Sequence, residues 1–271
     1  MSKIKPLHDI FSNGIPYLRF GSGKKNMIVM QGGPGNMLQK GFGFKMFAKP
    51  FFAFTEEYTV YFVTRKSGLP ENYTTLDMSK DYATMIQKEF NGKVDVTIGI
   101  SYGGFIIQHF AADYPEMSDY FIIAMASYKG SDEGIKFDLD YAKYMSEGKP
   151  GKAFSTIPTV FISNRFMRFL LRPLFYLFGL FMKSKSDTYA QDILIEAKAE
   201  AEHNTKDRLS EIKKATLILC GDNDYYMPLN YLKEMEQLIP NAILKIYANK
   251  GHNIITSKQF TQDIADFISI K

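Results

Sequence analysis

The sequence predicts an α/β fold, a mostly parallel sheet flanked by helices and interrupted by a helical insertion. Three observations carry the prediction. Short apolar runs alternate with segments of helical periodicity over residues 1–130, and the alternation returns over 214–271. Residues 131–213, between them, contain no convincing strand. One apolar run, Val94-Asp95-Val96-Thr97-Ile98, leads into Gly99-Ile100-Ser101-Tyr102-Gly103 and then into a second apolar stretch, so a G-x-S-x-G sits at a strand-to-helix turn.

Composition sets outer bounds. With 271 residues, 45% hydrophobic and 15% aromatic, the chain can bury the core of one large α/β domain with an insertion. The net charge of +4 is mild and its basic residues look scattered, which argues against a nucleic-acid partner. A single cysteine excludes an internal disulfide and a cysteine-rich zinc site. It falls in Leu217-Ile218-Leu219-Cys220 and reads as a small core residue. Met1–Pro6 lacks the apolar centre of a signal peptide, so the expected location is the cytoplasm.

In order, residues 7–30 read as two or three short strands with turns at Asn13-Gly14 and Gly21-Ser22-Gly23, the last strand being Met27–Met30. Gln31-Gly32-Gly33-Pro34-Gly35 follows, then aromatic and polar residues interspersed with glycine through Phe54, then a strand at Tyr58–Val63. Tyr82, Met85, Ile86 and Phe90 recur at helical spacing within Thr75–Phe90, closed by Asn91-Gly92. The Val94–Ile98 strand and Ser101 come next. A helix then runs to about Tyr114-Pro115, and a strand covers Tyr120–Met125. Within the insertion, Thr159–Ile162 is an ambiguous strand and Asp187–Ile212 a polar helical run. A strand at Thr216–Cys220, a helix at Leu229–Ile239, a strand at Ile243–Tyr247 and an amphipathic helix carrying Phe260, Ile264, Phe267 and Ile268 complete the chain.

A serine hydroxyl is a poor nucleophile unless a base takes its proton and a third group orients that base. Of the four histidines, His252 lies just beyond a strand, at the carboxyl end where an open parallel sheet gathers ligands. Asp222 and Asp224 follow the preceding strand. Asp224, further into the loop, is the preferred orienting carboxylate, giving the order Ser101…Asp224…His252. His109 reads as a packed or capping side chain, His8 and His203 as solvated. Charge developing on a substrate oxygen needs donors set in advance. The Tyr102 amide at a helix start and the Gly33 amide in the loop, which Pro34 stiffens, are the candidates.

Gln31–Gly35, Gly99–Gly103, Gly221–Asp224 and Gly251-His252, in this order, resemble the α/β-hydrolase superfamily over residues 20–130 and 214–271. The resemblance implies an α/β-hydrolase core of 1–130 and 214–271, with 131–213 as the helical cap that covers the active site. Gly-Gly-Pro-Gly and Arg65 are similar to the prolyl-iminopeptidase branch. Gln31 stands where that branch has histidine, Tyr102 where it has tryptophan, and Val63 and Lys66 replace an Asp and a Gly.

The stretch 166–182 is unusually apolar but is broken by Arg168, Arg172 and Pro173, so it is a poor transmembrane span. Three roles are open to it: a helix pair packing aromatics over the pocket, a peripheral membrane contact with the arginines, Lys183 and Lys185 at the headgroups, or a dimer contact. The expected activity is a serine hydrolase cleaving a carboxylic ester with an apolar acyl or alcohol part, with no metal or organic cofactor. Two alternatives stand: an aminopeptidase acting on a short peptide, with Glu133, Glu147, Glu196 or Glu200 holding an ammonium, and a non-catalytic binding protein of the same fold.

Overall fold

Buried apolar strands separated by helices must form a sheet covered on both faces, and the computed structural model shows how this chain does so. The structure describes residues 6–33, 35–38, 41–162, 164–181 and 187–269. Pro34, Met182, Lys183 and Lys185 therefore lie outside the described residues. In chain order the elements are β1 (Leu7–Ile10), β2 (Pro16–Phe20), β3 (Lys25–Met30), α1 (Gly41–Ala48), β4 (Tyr58–Val63), α2 (Thr75–Glu89), β5 (Val94–Ile100), α3 (Tyr102–Asp113) and β6 (Ser118–Ala124). Then come α4 (Asp132–Ser146), α5 (Pro150–Thr156), α6 (Pro158–Phe161), α7 (Arg165–Phe181), α8 (Tyr189–Glu202), β7 (Thr216–Gly221), α9 (Leu229–Leu238), β8 (Ala242–Tyr247) and α10 (Lys258–Ile268).

Among the described residues the sheet has eight strands in the order β1-β2-β4-β3-β5-β6-β7-β8. The β1–β2 and β2–β4 pairs are antiparallel; every later pair is parallel. The inner strands β3, β5, β6 and β7 are apolar and buried on both sides, as parallel strands under helices must be. One core cluster joins the sheet to α2, α3 and α9 through residues such as Tyr82, Phe105 and Leu232. The other joins it to α1, a 3₁₀ turn at Lys49–Phe54 and α10 through Phe51, Phe260 and Ile264. Helix α2 starts at a capping box, Thr74 Oγ1 accepting from the Asp77 amide while the Asp77 carboxylate accepts from the Thr74 amide.

Helices α4 to α8 lie between β6 and β7 in sequence. They pack largely on one another, α4 on α8, α4 on α5 and α5 on α7. The glycine-interspersed stretch before β4, given no element from sequence, contains α1, which Gly41 and Gly43 disguise by lowering helix propensity. Three local expectations are corrected here. The ambiguous strand Thr159–Ile162 is mostly helix α6, started by Pro158, whose fixed φ suits a first helical turn. The run 187–212 splits into α8 and a 3₁₀ turn at Lys206–Glu211. The Phe/Leu-rich stretch is one helix, α7, rather than a pair.

The sharpest packing constraint lies where α3 meets β3. A Cβ added at Gly103 would sit 2.2 Å from the Met30 carbonyl oxygen, and one at Gly99 would sit 2.4 Å from the Gly103 oxygen. Gly103→Ala is expected to cost about 1–3 kcal/mol, seen as a fall of several degrees in Tm for a chain of this size. An unchanged melting curve would mean that α3 can shift away from β3 without loss.

Candidate active site

The turn between β5 and α3 is one residue long. Ser101 occupies it at φ +52°, ψ −118°, a left-handed conformation that costs a non-glycine residue on the order of 1–3 kcal/mol. The surroundings impose it. The Ser101 amide donates to the Ala124 carbonyl at 2.8 Å, and its own carbonyl accepts from the Gly104 amide at 2.7 Å. The loop after β3 presses close, since a Cβ on Gly32 would lie 2.9 Å from that of Ser101.

Two further loops meet this turn from the carboxyl ends of β7 and β8. They are tied together by the Asn223 amide donating to the Lys250 carbonyl at 2.9 Å. His252 Nε2 lies 2.8 Å from Ser101 Oγ, and His252 Nδ1 lies 2.8 and 3.0 Å from the two carboxylate oxygens of Asp224. The Asp224 side chain is fully buried, and its Oδ1 also accepts from the amides of Tyr226 and Met227 at 2.9 and 3.3 Å. This arrangement fixes Nδ1–H toward Asp224 and leaves Nε2 to accept from the serine hydroxyl. Asp222, the other carboxylate weighed, has a buried Oδ1 with no hydrogen-bond partner.

The remaining histidines are elsewhere. His8 is exposed on β1. His109 is buried on α3, and burial together with the neighbouring Arg208 charge pushes its pKa down to about 4. His203 corrects the expectation of a solvated side chain: it is buried, its ring lies 4.6 Å from that of Phe105, and its Nδ1 lies 2.9 Å from Thr75 Oγ1. Burial holds its pKa well below the usual histidine range.

Arg65, known from sequence only by its similarity to one branch, turns out to be a buried hub. Its guanidinium donates to the carbonyls of Gln31, Gly33 and Gly35 at 2.8, 2.9 and 2.6 Å and to Glu196 Oε2 at 2.8 Å. It also lies 4.8 Å from the centre of the Tyr102 ring. Glu196, on α8, further accepts from the Gly35 amide, and its backbone carbonyl accepts from the Tyr102 hydroxyl at 2.9 Å. Burial alone would lower the Arg65 pKa, but the charge and hydrogen bonds of Glu196 outweigh it and raise the pKa.

Ser101 and His252 open into a cavity of about 270 Å³. Gln31, Gly33 (φ +76°) and Tyr102 line it beside the serine, Phe47, Phe62, Met125 and Ile255 supply apolar wall, and Asp138 and Glu200 supply two carboxyl groups. Gln31 Nε2 is buried there without a hydrogen-bond partner. No residue of α7 is among those lining this cavity. Of the four glutamates weighed from sequence, only Glu200 reaches the cavity. Glu196 pairs with Arg65, while Glu133 and Glu147 are exposed, Glu147 beside Lys149 at 2.7 Å.

Asp138 was not foreseen. Its signal was its place on α4 between Gly134 and Ala142, a carboxylate on a stripe that is otherwise small and buried. Asp138 and Glu200 are hydrogen-bonded to each other, with Tyr226 also bonded to Asp138. Burial pushes Asp138 up to about 7. Burial, and then the charge of Asp138, hold Glu200 well above the usual carboxylate range. Near neutral pH the pair therefore shares at least one proton. Among the described residues, no group of three or more His, Cys, Asp or Glu side chains is arranged to hold a metal ion.

A family model described as alpha/beta hydrolase fold matches residues 41–259. A probable acyltransferase from Methanothermobacter thermautotrophicus is 30% identical over 204 residues, 66% of this chain; the match spans 61% of that protein's length. An enol-lactonase from Burkholderia xenovorans superposes with a TM-score of 0.74 at 18% identity, covering 97% of this chain and 100% of that one. MGS-M2, an alpha/beta hydrolase enzyme from a deep-sea metagenome library, gives 0.73 at 22% identity over 95% and 94%. An esterase from Exiguobacterium antarcticum gives 0.71 at 18% identity over 97% and 99%.

Two outcomes follow from the buried charges. Arg65→Met leaves Glu196 buried without its cation and is expected to destabilise the protein by about 3–5 kcal/mol; a Tm within a degree of wild type would mean that the loop is held by other contacts. A carboxyl whose folded pKa is raised loses stability as pH rises from its unfolded value near 4 to its folded value near 7. Asp138→Asn should therefore gain in Tm relative to wild type as pH is raised across that window, with no gain below it. A difference independent of pH would remove Asp138 from the proton-sharing pair.

Proposed function

The chain belongs to the alpha/beta hydrolase fold family, and on that premise we propose that it is a serine hydrolase cleaving a small carboxylic ester through an acyl-enzyme. The observation that carries the reading is the continuous path from Ser101 Oγ to His252 Nε2 at 2.8 Å, and from His252 Nδ1 to Asp224 at 2.8 Å. His252 takes the hydroxyl proton as Ser101 attacks the ester carbonyl and returns it to the leaving alkoxide. Asp224 orients the ring and offsets its transient positive charge. The amides of Tyr102 and Gly33 hold the developing oxyanion, each worth about 3–4 kcal/mol of barrier. Water, activated by His252, then releases the acid and restores the serine.

The apolar wall of Phe47, Phe62, Met125 and Ile255 supports an apolar acyl or alcohol group. The cavity volume of about 270 Å³ limits its size, since small-molecule sites span roughly 300–1,000 Å³. The probable acyltransferase among the relatives suggests a variant of the second half-reaction in which an alcohol or amine takes the acyl group in place of water.

Asp138 and Glu200 favour a second reading. A carboxyl pair that has given up one proton presents one negative charge beside the nucleophile, a partner for the ammonium of an N-terminal residue. That reading is an aminopeptidase using the same triad.

A fluorophosphonate probe is expected to label wild type and not Ser101→Ala, while absence of labelling in both would leave a binding protein of hydrolase fold. His252→Ala should lower turnover by at least ~10³. Across p-nitrophenyl esters of increasing chain length and alanine and proline p-nitroanilides, rates should be highest on the shorter esters. Rates highest on the anilides, and abolished by Glu200→Gln, would establish the aminopeptidase instead.

A further inference from the structure

Helix α7 is apolar on both sides. An amphipathic helix on a globular protein ordinarily buries its apolar face and turns a polar one to solvent. Here a narrow covered face holds Arg168, Leu171, Phe175 and Gly179, while the opposite, broader face is also apolar and lies in solvent. Phe166, Phe169 and Phe181 are 70%, 74% and 81% exposed. Among the described residues, ten of the sixteen exposed large apolar side chains lie on α7.

The orientation is built in. Gly179 allows close approach to α5, since a Cβ there would lie 2.6 Å from the Pro150 carbonyl oxygen, and Phe178 packs on Phe154 with ring centres 5.6 Å apart. Rotating the helix to hide its outer face would break this contact.

Charge identifies what covers the face. From Gly148 to Phe181 the chain has five basic residues and no acidic one; the rest has 28 Lys and Arg against 29 Asp and Glu. The basic excess is therefore concentrated here and not scattered. Arg165 and Arg172 are exposed on one flank of α7, between its covered and apolar faces, while Arg168 is half-buried and donates to the Ile162 carbonyl. A second copy of the chain would bring like charges together, whereas an anionic surface matches them. No helix among the described residues is long and apolar enough to cross a membrane. Seventeen residues span about 25 Å, with Pro173 in the middle, which suits a helix lying in the plane of the interface.

We infer that α7 is an interfacial anchor that docks this protein on anionic lipid bilayers, burying Phe166, Phe169, Leu177 and Phe181 among the acyl chains with Arg165 and Arg172 at the headgroups. The inference rests on α7 alone and is independent of the triad.

The test is co-sedimentation of the full chain with vesicles of phosphatidylcholine alone and of phosphatidylcholine with 30 mol% phosphatidylglycerol (about a third anionic lipid, enough to set up a negative surface potential). Binding is expected to be at least ~10-fold tighter to the anionic vesicles and to weaken as salt is raised. The triple variant Phe166→Ser/Phe169→Ser/Leu177→Ser should lose at least ~10-fold with its Tm unchanged, because those side chains support no core. Arg165→Gln/Arg172→Gln should remove most of the preference for anionic vesicles. Failure of wild type to bind either vesicle, or equal binding by the triple-serine variant, overturns the anchor. So does a concentration-dependent dimer, seen by sedimentation equilibrium and abolished by the triple variant, in a chain that ignores vesicles.

Discussion

The ion pair between Arg65 and Glu196 ties helix α8 to the loop after β3. Both side chains are essentially removed from water, which costs each charge several kcal/mol, and only dense hydrogen bonding offsets that cost. Arg65 supplies it. Its planar guanidinium reaches three carbonyls of the loop after β3 and both oxygens of Glu196, whereas a lysine would offer a compact ammonium with no such fork. One contact therefore shapes the glycine loop beside Ser101, supports Tyr102 at the start of α3, and fixes α8 over the sheet. Because Glu200 lies one turn further along α8, the same pair also sets how far that carboxyl projects into the cavity.

The strained serine is the second constraint, and it depends on the first. A left-handed residue persists only where its neighbours leave no relaxed alternative. Met30 blocks α3 from one side, the β6 carbonyl at Ala124 fixes the Ser101 amide from another, and Gly32 lies against the serine from above. Gly32 belongs to the loop that Arg65 gathers. The geometry of Ser101 is thus set by contacts among β3, β5, β6 and a buried cation.

Most of the sheet was legible because its signals are local. Inner strands are short apolar runs, α2 and α10 keep helical spacing, and the strand–turn–helix around Ser101 lies within one window. His252 and Asp224 were legible for a different reason: each follows a strand, and a parallel sheet collects such loops at one edge. Pairings across long separations were not legible. Nothing near residue 65 indicates that its partner is 131 residues away, and the stripe that carries Asp138 on α4 does not reveal that Glu200 of α8 meets it. His203 was misread because its polar neighbours in sequence are not its neighbours in space, where Phe105 and Thr75 enclose it. Helix α7 marks a further limit. Its periodicity reveals an apolar face but carries no mark of whether protein covers it, which depends on how Gly179 meets α5.

The helices between β6 and β7 are attached to the Ser101–His252–Asp224 cluster in two physically different ways. At α8 the link is ionic and buried, so displacement would strand a charge. Along α4, α5 and α7 the link is a run of rings: His252 to Tyr226 at 4.8 Å, Tyr226 to Phe137 at 6.1 Å, Phe137 to Tyr141 at 6.2 Å, Tyr141 to Phe154 at 5.8 Å and Phe154 to Phe178 at 5.6 Å. Aromatic pairs are worth only about 0.5–1.5 kcal/mol each beyond their burial and keep that value over a range of offsets. They can slide where an ion pair cannot. If one part of the insertion yields while the triad stays assembled, it is therefore the α5–α7 side and not α8. That is the side carrying the uncovered apolar face, and its rings reach the imidazole through Tyr226, which is also bonded to Asp138.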